Sequence, residues 1–332
     1  MEIHRHTSPL ILLSALAAGL TAQPAESPVY VSSVHEFKGG IQNFFAPPGV
    51  GPMIAHGHLD GVWADGVHLL EDHFSPGFFD ALNGERPHYL HITSGDYRGL
   101  IVPITGADYE TNFVELAEDV SMEIAGTESF RIRQSLTLDD LFGEKNEAGF
   151  RAGTSSGNSD RFVHFASASK VSQTFFNLAF EGEDFGWHGP GFAPSGEFGI
   201  HPYEGFRVDR RESIGDVSAH IQTIFNDEIL LIPVFAGLNY LSLGRSFQGL
   251  SLGDSGLENG LRGGTSSGMA DNVILSDPTT GGLSTYFQVD DFGWFGPGFA
   301  PSNDIEIDTG ALFGVRLRHD DEFLWQVLPD FQ

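Results

Sequence analysis

A chain of 332 residues is long enough to bury two or three hydrophobic cores, and it contains no cysteine. Disulfide frameworks, thiolate zinc sites and a lipid-modified N-terminal cysteine are therefore excluded. Asp and Glu number 45 against 17 Lys and Arg, a formal net charge of -28, which excludes nucleic acid as a partner and disfavours anionic membrane surfaces.

The N-terminal segment has the pattern of an export signal. Arg5 and two histidines precede an apolar run at residues 10–20, and Ala22 precedes a polar, proline-bearing stretch. This pattern predicts a signal peptide at residues 1–22. The run is too short for a stable bilayer anchor, and no later segment approaches about 18 apolar residues in succession. We expect a protein of the periplasm, the outer surface or the extracellular space, without a membrane-spanning segment.

The rest of the chain is typical of a mainly β protein. It has 42 Gly and 29 Phe, and short apolar runs such as residues 89–92 and 100–104 are bounded by Gly, Asp, Asn and Pro. Residues 27–135 are predicted to form an N-terminal β domain. Within it, residues 53–133 have the strand pattern of a small barrel or sheet, with a hairpin at residues 94–99.

An internal repeat defines the remaining architecture. DFGWHGPGFAPS at residues 184–195 returns as DFGWFGPGFAPS at residues 291–302, and GTSSG occurs at both 153–157 and 264–268. We predict two tandem, homologous antiparallel β modules, sandwich-like or barrel-like: copy 1 at 136–211, and copy 2 at 212–332 with its lead-in strands. Copy 1 has four additional residues near 177–183, where we expect a hairpin tip.

Two further patterns accompany the repeat. Residues 136–142 and 251–261 have leucines spaced as in single helical turns, each followed by glycine. Residues 40–45 weakly resemble residues 237–242. Two organisations stay open: a separate N-terminal domain, or a first module that begins near residue 35 and contains 53–133 as an insertion.

Two serine motifs suggest hydrolysis but favour structural roles. GTSSG fits the G-x-S-x-G pattern of a nucleophile elbow, yet a glycine-rich stretch precedes it and a strand follows, so a turn is predicted. GDSG at residues 253–256 resembles the serine segment of chymotrypsin-like proteases, but Leu257 follows it and the surrounding leucines indicate packing.

Two sets of residues have the chemistry of metal ligands. His56, His58 and Asp60 alternate, so a strand would place them on one face as a transition-metal site. Their alternative role is that of solvent-facing or hydrogen-bonded residues. The acidic pairs at residues 183–184 and 290–291 have the ligand type of calcium, with turn-forming aspartates as the alternative. No other cofactor is predicted.

The repeated loop is predicted to be either a structural corner or a twin binding loop. As a binding loop it would offer Trp187 and Trp294 for stacking against sugar rings, with Asp184 and Asp291 accepting hydroxyl hydrogen bonds. The one difference between the copies replaces His188 by phenylalanine. A duplicated active site that used this histidine as a base is therefore disfavoured.

The mature chain resembles an uncharacterised family of exported, β-rich proteins found in verrucomicrobial genomes. The matching features are YLHITSG at 89–95, Gly99, ITG at 104–106, FRI at 130–132, TLDDLF at 137–142, and two closing elements at 187–206 and 294–316. The resemblance implies export and an N-terminal β unit followed by repeated modules. It supplies no activity, cofactor or catalytic residue, and the long DFGW loop departs from the family pattern.

The sequence therefore predicts an exported, acidic, non-catalytic protein with a structural or adhesive role at the cell surface or outside the cell. Its expected partner is an extracellular glycan or another cell-surface protein. The alternative is a glycan-binding protein that uses the DFGW loops. A lesser alternative is an extracellular polysaccharide hydrolase, which needs two converging carboxylates in a cleft.

Overall fold

The computed structural model describes residues 28–70, 74–165, 171–211, 215–277 and 279–329. Over these residues the chain is mainly β, which confirms the predicted fold class. The export signal predicted at residues 1–22 lies outside the described residues. The described part of the chain begins with two strands, β1 (Tyr30–Phe37) and β2 (Gln42–Phe45).

A closed barrel of six antiparallel strands follows. Its elements in chain order are β3 (Met53–Trp63), β4 (Gly66–Leu69), helix α1 (Pro76–Leu82), β5 (His88–Ile92), β6 (Ile101–Asp108), β7 (Phe113–Leu116) and β8 (Ser129–Gln134). The strands close in the order β3-β4-β7-β6-β5-β8. Bulges after Leu59 and Ile104 bend β3 and β6, which helps a small sheet to close on itself.

The next elements form the first module together with β1 and β2. They are β9 (Leu136–Thr137), α2 (Leu138–Phe142), β10 (Arg161–Phe165), β11 (Ser172–Phe180), β12 (Glu183–His188), β13 (Gly199–Ile200), β14 (Phe206–Asp209) and β15 (Val217–Ile224). The sheet order is β12-β11-β10-β14-β2, and β1 pairs with β15. Because β2 and β14 are hydrogen-bonded neighbours, the barrel is an insertion between β2 and β9.

The second module repeats this plan without the barrel. Its strands are β16 (Leu230–Val234), β17 (Gly237–Ser242), β18 (Asn272–Ser276), β19 (Leu283–Val289), β20 (Gly293–Phe295), β21 (Leu312–Leu317) and β22 (Phe323–Val327). The sheet order is β17-β21-β18-β19-β20, and β16 pairs with β22. The hairpin from β19 to β20 is shorter than that from β11 to β12, as the four-residue difference predicts.

Two buried asparagines show that β2 and β17 are equivalent. Asn43 donates to Val208 O at 3.4 Å, and Asn239 donates to Val315 O at 3.2 Å. Each amide also bonds the backbone of the segment just before its strand. By the same correspondence β15 matches β22. Although β15 lies in the range 212–332 predicted for the second module, it pairs with β1 of the first.

The core of the first module is rich in phenylalanine. Its buried rings include Phe37, Phe45, Phe142, Phe162 and Phe206, each of which contributes about 1.5–3 kcal/mol by leaving water. Helix α2 supplies one of them and is fixed by a capping box: Thr137 accepts from the N–H of Asp140, whose carboxylate accepts from the N–H of Thr137. The turn predicted at residues 136–142 is thus confirmed, and that at 251–261 contains a 3-10 turn at Leu257–Asn259.

Candidate functional site

The repeated loops lie on the edge strands β12 and β20, and their tryptophans point into the protein. Trp187 and Trp294 are each 2% exposed. The Trp187 ring packs edge-on against Phe162 at 4.9 Å between centroids, and its Nε1–H donates to Gly143 O at 2.8 Å. The prediction that these two indoles stack on sugar rings is therefore wrong, because a buried ring has no face free for a ligand.

After each tryptophan the chain turns at Pro-Gly and runs back along the edge strand. In the first module the Gly189 N–H donates to Ala193 O at 2.9 Å, and the Ser195 N–H donates to Trp187 O at 2.8 Å. The second module has the same two bonds, 107 residues later and at the same lengths. Pro194, which bridges to the edge strand, has no N–H to offer. The returning segment therefore shields the sheet edge from pairing with another strand.

The same loops turn phenylalanines outward. Phe185 and Phe192 are 53% and 55% exposed in the first module, and Phe292 and Phe299 are 75% and 56% exposed in the second. We call each pair, one per module, a phenylalanine corner. Burial of the tryptophans and shielding of the edge account for the rest of the motif, but not for four exposed aromatic rings at matching positions.

Two of these rings sit on unfavourable backbone. Phe192 has φ of 62° and Phe299 has φ of 60°, a left-handed conformation that costs a non-glycine residue about 1–2 kcal/mol. Edge-on contacts offset part of this cost, at 5.6 Å from Phe192 to Phe176 and 5.4 Å from Phe299 to Phe287. Asparagine or glycine at the same place would make the turn with less strain.

The predicted hydroxyl acceptors Asp184 and Asp291 are both exposed, each next to a corner phenylalanine. One oxygen of Asp184 accepts from the N–H of Gly186 at 2.8 Å, and Asp291 has a left-handed backbone with φ of 65°. Both therefore serve the hairpin turn, which was the alternative to calcium. Across the described ranges no group of three or more His, Asp or Glu side chains is arranged to hold a metal ion.

The predicted metal ligands His56, His58 and Asp60 lie on the outer face of barrel strand β3, all exposed. They share one face, as the alternation predicts. His58 Nδ1 lies 3.2 Å from Ser129 Oγ on the neighbouring strand. The three side chains do not form a metal-binding group, so they are surface residues of the barrel.

The GTSSG segments are turns held by a buried aspartate and an arginine in each module. Asp160 accepts from the backbone N–H of Arg211 at 2.8 Å, and Arg211 Nη2 donates to Gly157 O at 2.6 Å. In the second module Asp271 accepts from the N–H of Arg318 at 2.7 Å, and Arg318 binds turn carbonyls in the same way. A strand follows each turn, so neither is a nucleophile elbow.

The serine of the GDSG segment is also structural. Ser255 is buried, and its Oγ donates to Leu252 O at 2.8 Å. Its own carbonyl oxygen accepts from Trp325 Nε1 at 2.8 Å. This hydroxyl is committed to packing the leucine-rich turn and is not accessible to a substrate.

A groove runs between the two modules and carries carboxylates. One part, of about 420 Å³, includes Asp277, Tyr286, Glu306 and Asp308, and it continues into a part of about 480 Å³ beside β1 and β2. Hydrogen bonds from the backbone N–H and side chain of neighbouring threonines lower the pKa of Asp277. A glycosidase acid needs its pKa raised instead.

A buried histidine–carboxylate pair lies near the junction of the modules. His164 Nε2 is 3.2 Å from Glu204 Oε2, and both residues are buried. Burial acts to raise the pKa of Glu204, but the charges of His201 and His164 and their hydrogen bonds outweigh it, so the pKa falls to about 2. The Glu204 carbonyl also accepts from Ser242 Oγ at 2.7 Å, across the module boundary. The side-chain pair is buried and therefore shielded from substrate.

Trp63 is an exposed tryptophan that the sequence patterns did not identify. Trp63, at the end of β3, is 48% exposed, whereas Trp187, Trp294 and Trp325 are each 2% exposed. In the sequence, Trp63 lies between Gly61 and Gly66, and this glycine spacing could have identified it. Both glycines make room for aromatic rings on the outside of the barrel.

No helix of the described residues has the length and apolar character needed to cross a membrane. Comparison with protein-family models, with curated proteins and with solved structures found no match to this chain. The resemblance to the verrucomicrobial family and the predicted export therefore stay predictions. The structural features that can indicate a function are the two phenylalanine corners, the acidic groove and the exposed Trp63.

Proposed function

We propose that this chain is an exported, non-catalytic adhesive protein that contacts a surface outside the cell through its two phenylalanine corners. The observation that carries the proposal is the pair of exposed phenylalanines at the same place in each module, one of them on left-handed backbone in both. Such rings add little to a core, and a smaller residue would make the same turn with less strain.

The acidic composition strengthens this reasoning. On a chain of net charge -28, two matching pairs of exposed apolar rings are candidate contact points. A phenylalanine corner is small, and a single corner supports only weak binding. Two corners on one chain convert the second contact into an intramolecular event, which increases retention on an extended surface.

The packing between the modules supports joint engagement. Phe165 of the first module stacks on Tyr240 of the second, with 4.0 Å between ring centroids and 25° between planes. The Ser242 bond to Glu204 crosses the same boundary. These contacts hold the modules together, so binding at one corner limits the positions available to the other.

A glycan is the partner class that the corners favour over a protein. Asp184 and Asp291 are exposed and precede Phe185 and Phe292 in the sequence, so each corner has a carboxylate acceptor adjoining one of its aromatic residues. Sugars present apolar C–H faces and hydroxyl donors together, and they match this combination. The alternative of glycan binding is thus retained with phenylalanine in place of the predicted tryptophan.

The test is retention of the purified protein on insoluble polysaccharides and on protein-coated beads. We expect retention on a polysaccharide, and loss of at least about tenfold in affinity when Phe185, Phe192, Phe292 and Phe299 are all changed to Ala. The control variant changes four exposed apolar residues elsewhere to Ala: Leu70, Met122, Leu324 and Leu328. Equal retention of wild type and the corner variant would overturn the proposal. An equal loss of retention in the corner variant and the control variant would also overturn it, because it would indicate non-specific adsorption.

A further inference from the structure

The outer face of the barrel carries an aromatic cluster that spans three strands. Trp63 of β3, His68 of β4 and Phe113 of β7 are in contact, at 4.4 Å between the rings of Trp63 and His68 and 4.9 Å between those of His68 and Phe113. The strand pairing places His68 opposite both Gly61 and Phe113. These three residues form a continuous aromatic surface, which we call the barrel platform.

Two glycines shape the barrel platform. A β-carbon at Gly61 would overlap the six-membered ring of Trp63, and one at Gly66 would lie 2.7 Å from Phe113 Cζ. The rings therefore lie over bare backbone, which covers the glycines and compensates for their missing side chains. Covering a glycine requires only one side of a ring. With 48% of Trp63 exposed, part of the indole remains accessible to a ligand.

Polar groups suited to hydroxyls lie on the two strands next to the exposed ring. His68 Nδ1 lies 2.9 Å from Thr111 O, and since a carbonyl oxygen only accepts, this nitrogen donates and Nε2 is the ring nitrogen left to face a ligand. Glu115 is exposed and lies one strand beyond Gly66, the residue opposite Trp63. Its carboxylate lies 2.6 Å from the position of a β-carbon on Gly106 of β6, on the side of β7 away from Trp63, so it would contact a neighbouring unit of a sugar chain.

This combination points to a sugar ring. A pyranose presents an apolar C–H face that packs on an indole and equatorial hydroxyls that donate to a carboxylate and to an imidazole nitrogen. Charge narrows the class: the acidic residues Asp60 and Asp65 adjoin the barrel platform, and the chain as a whole carries -28, which repels sulfated, phosphorylated or uronic glycans. The apolar area is also far smaller than the roughly 800 Å² per partner of a stable protein interface.

We propose that the barrel platform, built from Trp63, His68, Phe113 and Glu115, is a binding site for a neutral pyranoside chain. The site lies on the inserted barrel, so it does not rest on the phenylalanine corners and adds a contact point of a different kind. It gives the barrel a role that the two modules do not share, since the second module has no counterpart of the insertion.

Fluorescence provides a selective test, because Trp63 is exposed and the other three tryptophans are buried. The purified protein is titrated with cellohexaose, mannohexaose and laminarihexaose. We expect at least one of these neutral oligosaccharides to give a saturable blue shift and to reduce acrylamide quenching of Trp63. Hexagalacturonate, which is anionic, is expected to produce neither change.

Variants separate this site from the corners. Made in the four-residue corner variant, Trp63→Ala should weaken binding by about tenfold or more, and Trp63→Phe should weaken it less; binding is then read by calorimetry. Glu115→Gln in the same background should weaken binding severalfold with the fold intact by circular dichroism. The corner variant itself should give the same Trp63 fluorescence titration as wild type. The proposal is overturned if no neutral oligosaccharide binds, or if Trp63→Ala in the corner variant leaves binding unchanged.

Discussion

The two modules share a backbone plan but fix it with different interactions. In the first module the buried Asp160 pairs with Arg210 at 2.9 Å, both side chains being 0% exposed. In the second, the equivalent Asp271 pairs with His319 at 2.7 Å, and Leu317 occupies the place of Arg210. What the copies have in common is the aspartate and its bonds to backbone N–H groups. The repeat therefore preserves a turn geometry, and each module gives the buried carboxylate a different side-chain partner.

The tryptophans of the repeated loops likewise share their burial but differ in their polar contacts. Trp187 and Trp294 are equally buried. Of the hydrogen bonds described for these two residues, the one made by a ring N–H is that of Trp187 to Gly143 O. In the second module the backbone N–H of Trp294 donates to Asn303 Oδ1 at 2.8 Å. Burial of the ring is thus the shared requirement, while the polar contacts that orient it vary. This difference can be tested by changing one module at a time.

The largest effect is expected from removing a buried indole. Trp187→Ala and Trp294→Ala should each lower the free energy of unfolding by about 3–5 kcal/mol, because each leaves a cavity in a core. Trp187→Ala should cost more, since it also leaves Gly143 O without its partner. Denaturant unfolding measures both, with Trp63→Ala as the exposed control. A loss below about 1 kcal/mol for either would contradict burial as its role.

Next in size is the buried ion pair of the first module. Arg210→Leu should lower the free energy of unfolding by about 3 kcal/mol, because it leaves a buried carboxylate without its charged partner. His319→Gln in the second module should cost about 1 kcal/mol, since Asp271 keeps two backbone donors and an amide N–H replaces the imidazole.

The control for the ion pair is Arg262→Leu, which removes an exposed pair with Asp321 and should cost less than about 1 kcal/mol. Thermal and denaturant unfolding of the three variants are compared with wild type at one pH. Equal losses for Arg210→Leu and His319→Gln would contradict the difference between the ion pair of the first module and the Asp271–His319 pair of the second.

The smallest effect on stability is expected at the corners. Phe192→Asn and Phe299→Asn should change the free energy of unfolding by no more than about 1 kcal/mol, because asparagine relieves the left-handed strain while the contact with Phe176 or Phe287 is lost. Retention on polysaccharide should nevertheless fall. Phe185→Asn, which has no left-handed strain to relieve, is the comparison. A decrease of more than about 2 kcal/mol in the free energy of unfolding would show that the corner rings belong to the core.

Much of the fold was predictable because it depends on short-range patterns. Alternation and glycine placement predicted the strands of the barrel, and the difference in length between the copies predicted a longer hairpin after β11. The capped turn at α2 followed from its residues alone. The pairing of β1 with β15 was not predictable, because some 180 residues separate them and nothing in either strand specifies its partner.

The site was harder to predict because exposure is not a local property. In β3, Leu59 is buried, so regular alternation places residue 63 on the buried face as well. The bulge between Leu59 and Gly61 shifts the pairing by one residue and turns Trp63 outward. For the repeated loop, the error was the direction of the tryptophans, which depends on the core beneath each of them.

The sequence by itself determined what local chemistry controls: the β class, the two copies, the ordered Pro-Gly turns and the strongly acidic surface. The tertiary structure alone decided which aromatic rings face solvent, which strands complete each module and where the barrel is inserted. The physical reason is that backbone dihedrals and periodicity depend on neighbouring residues, whereas the burial of a side chain depends on which distant strands cover its face of the sheet.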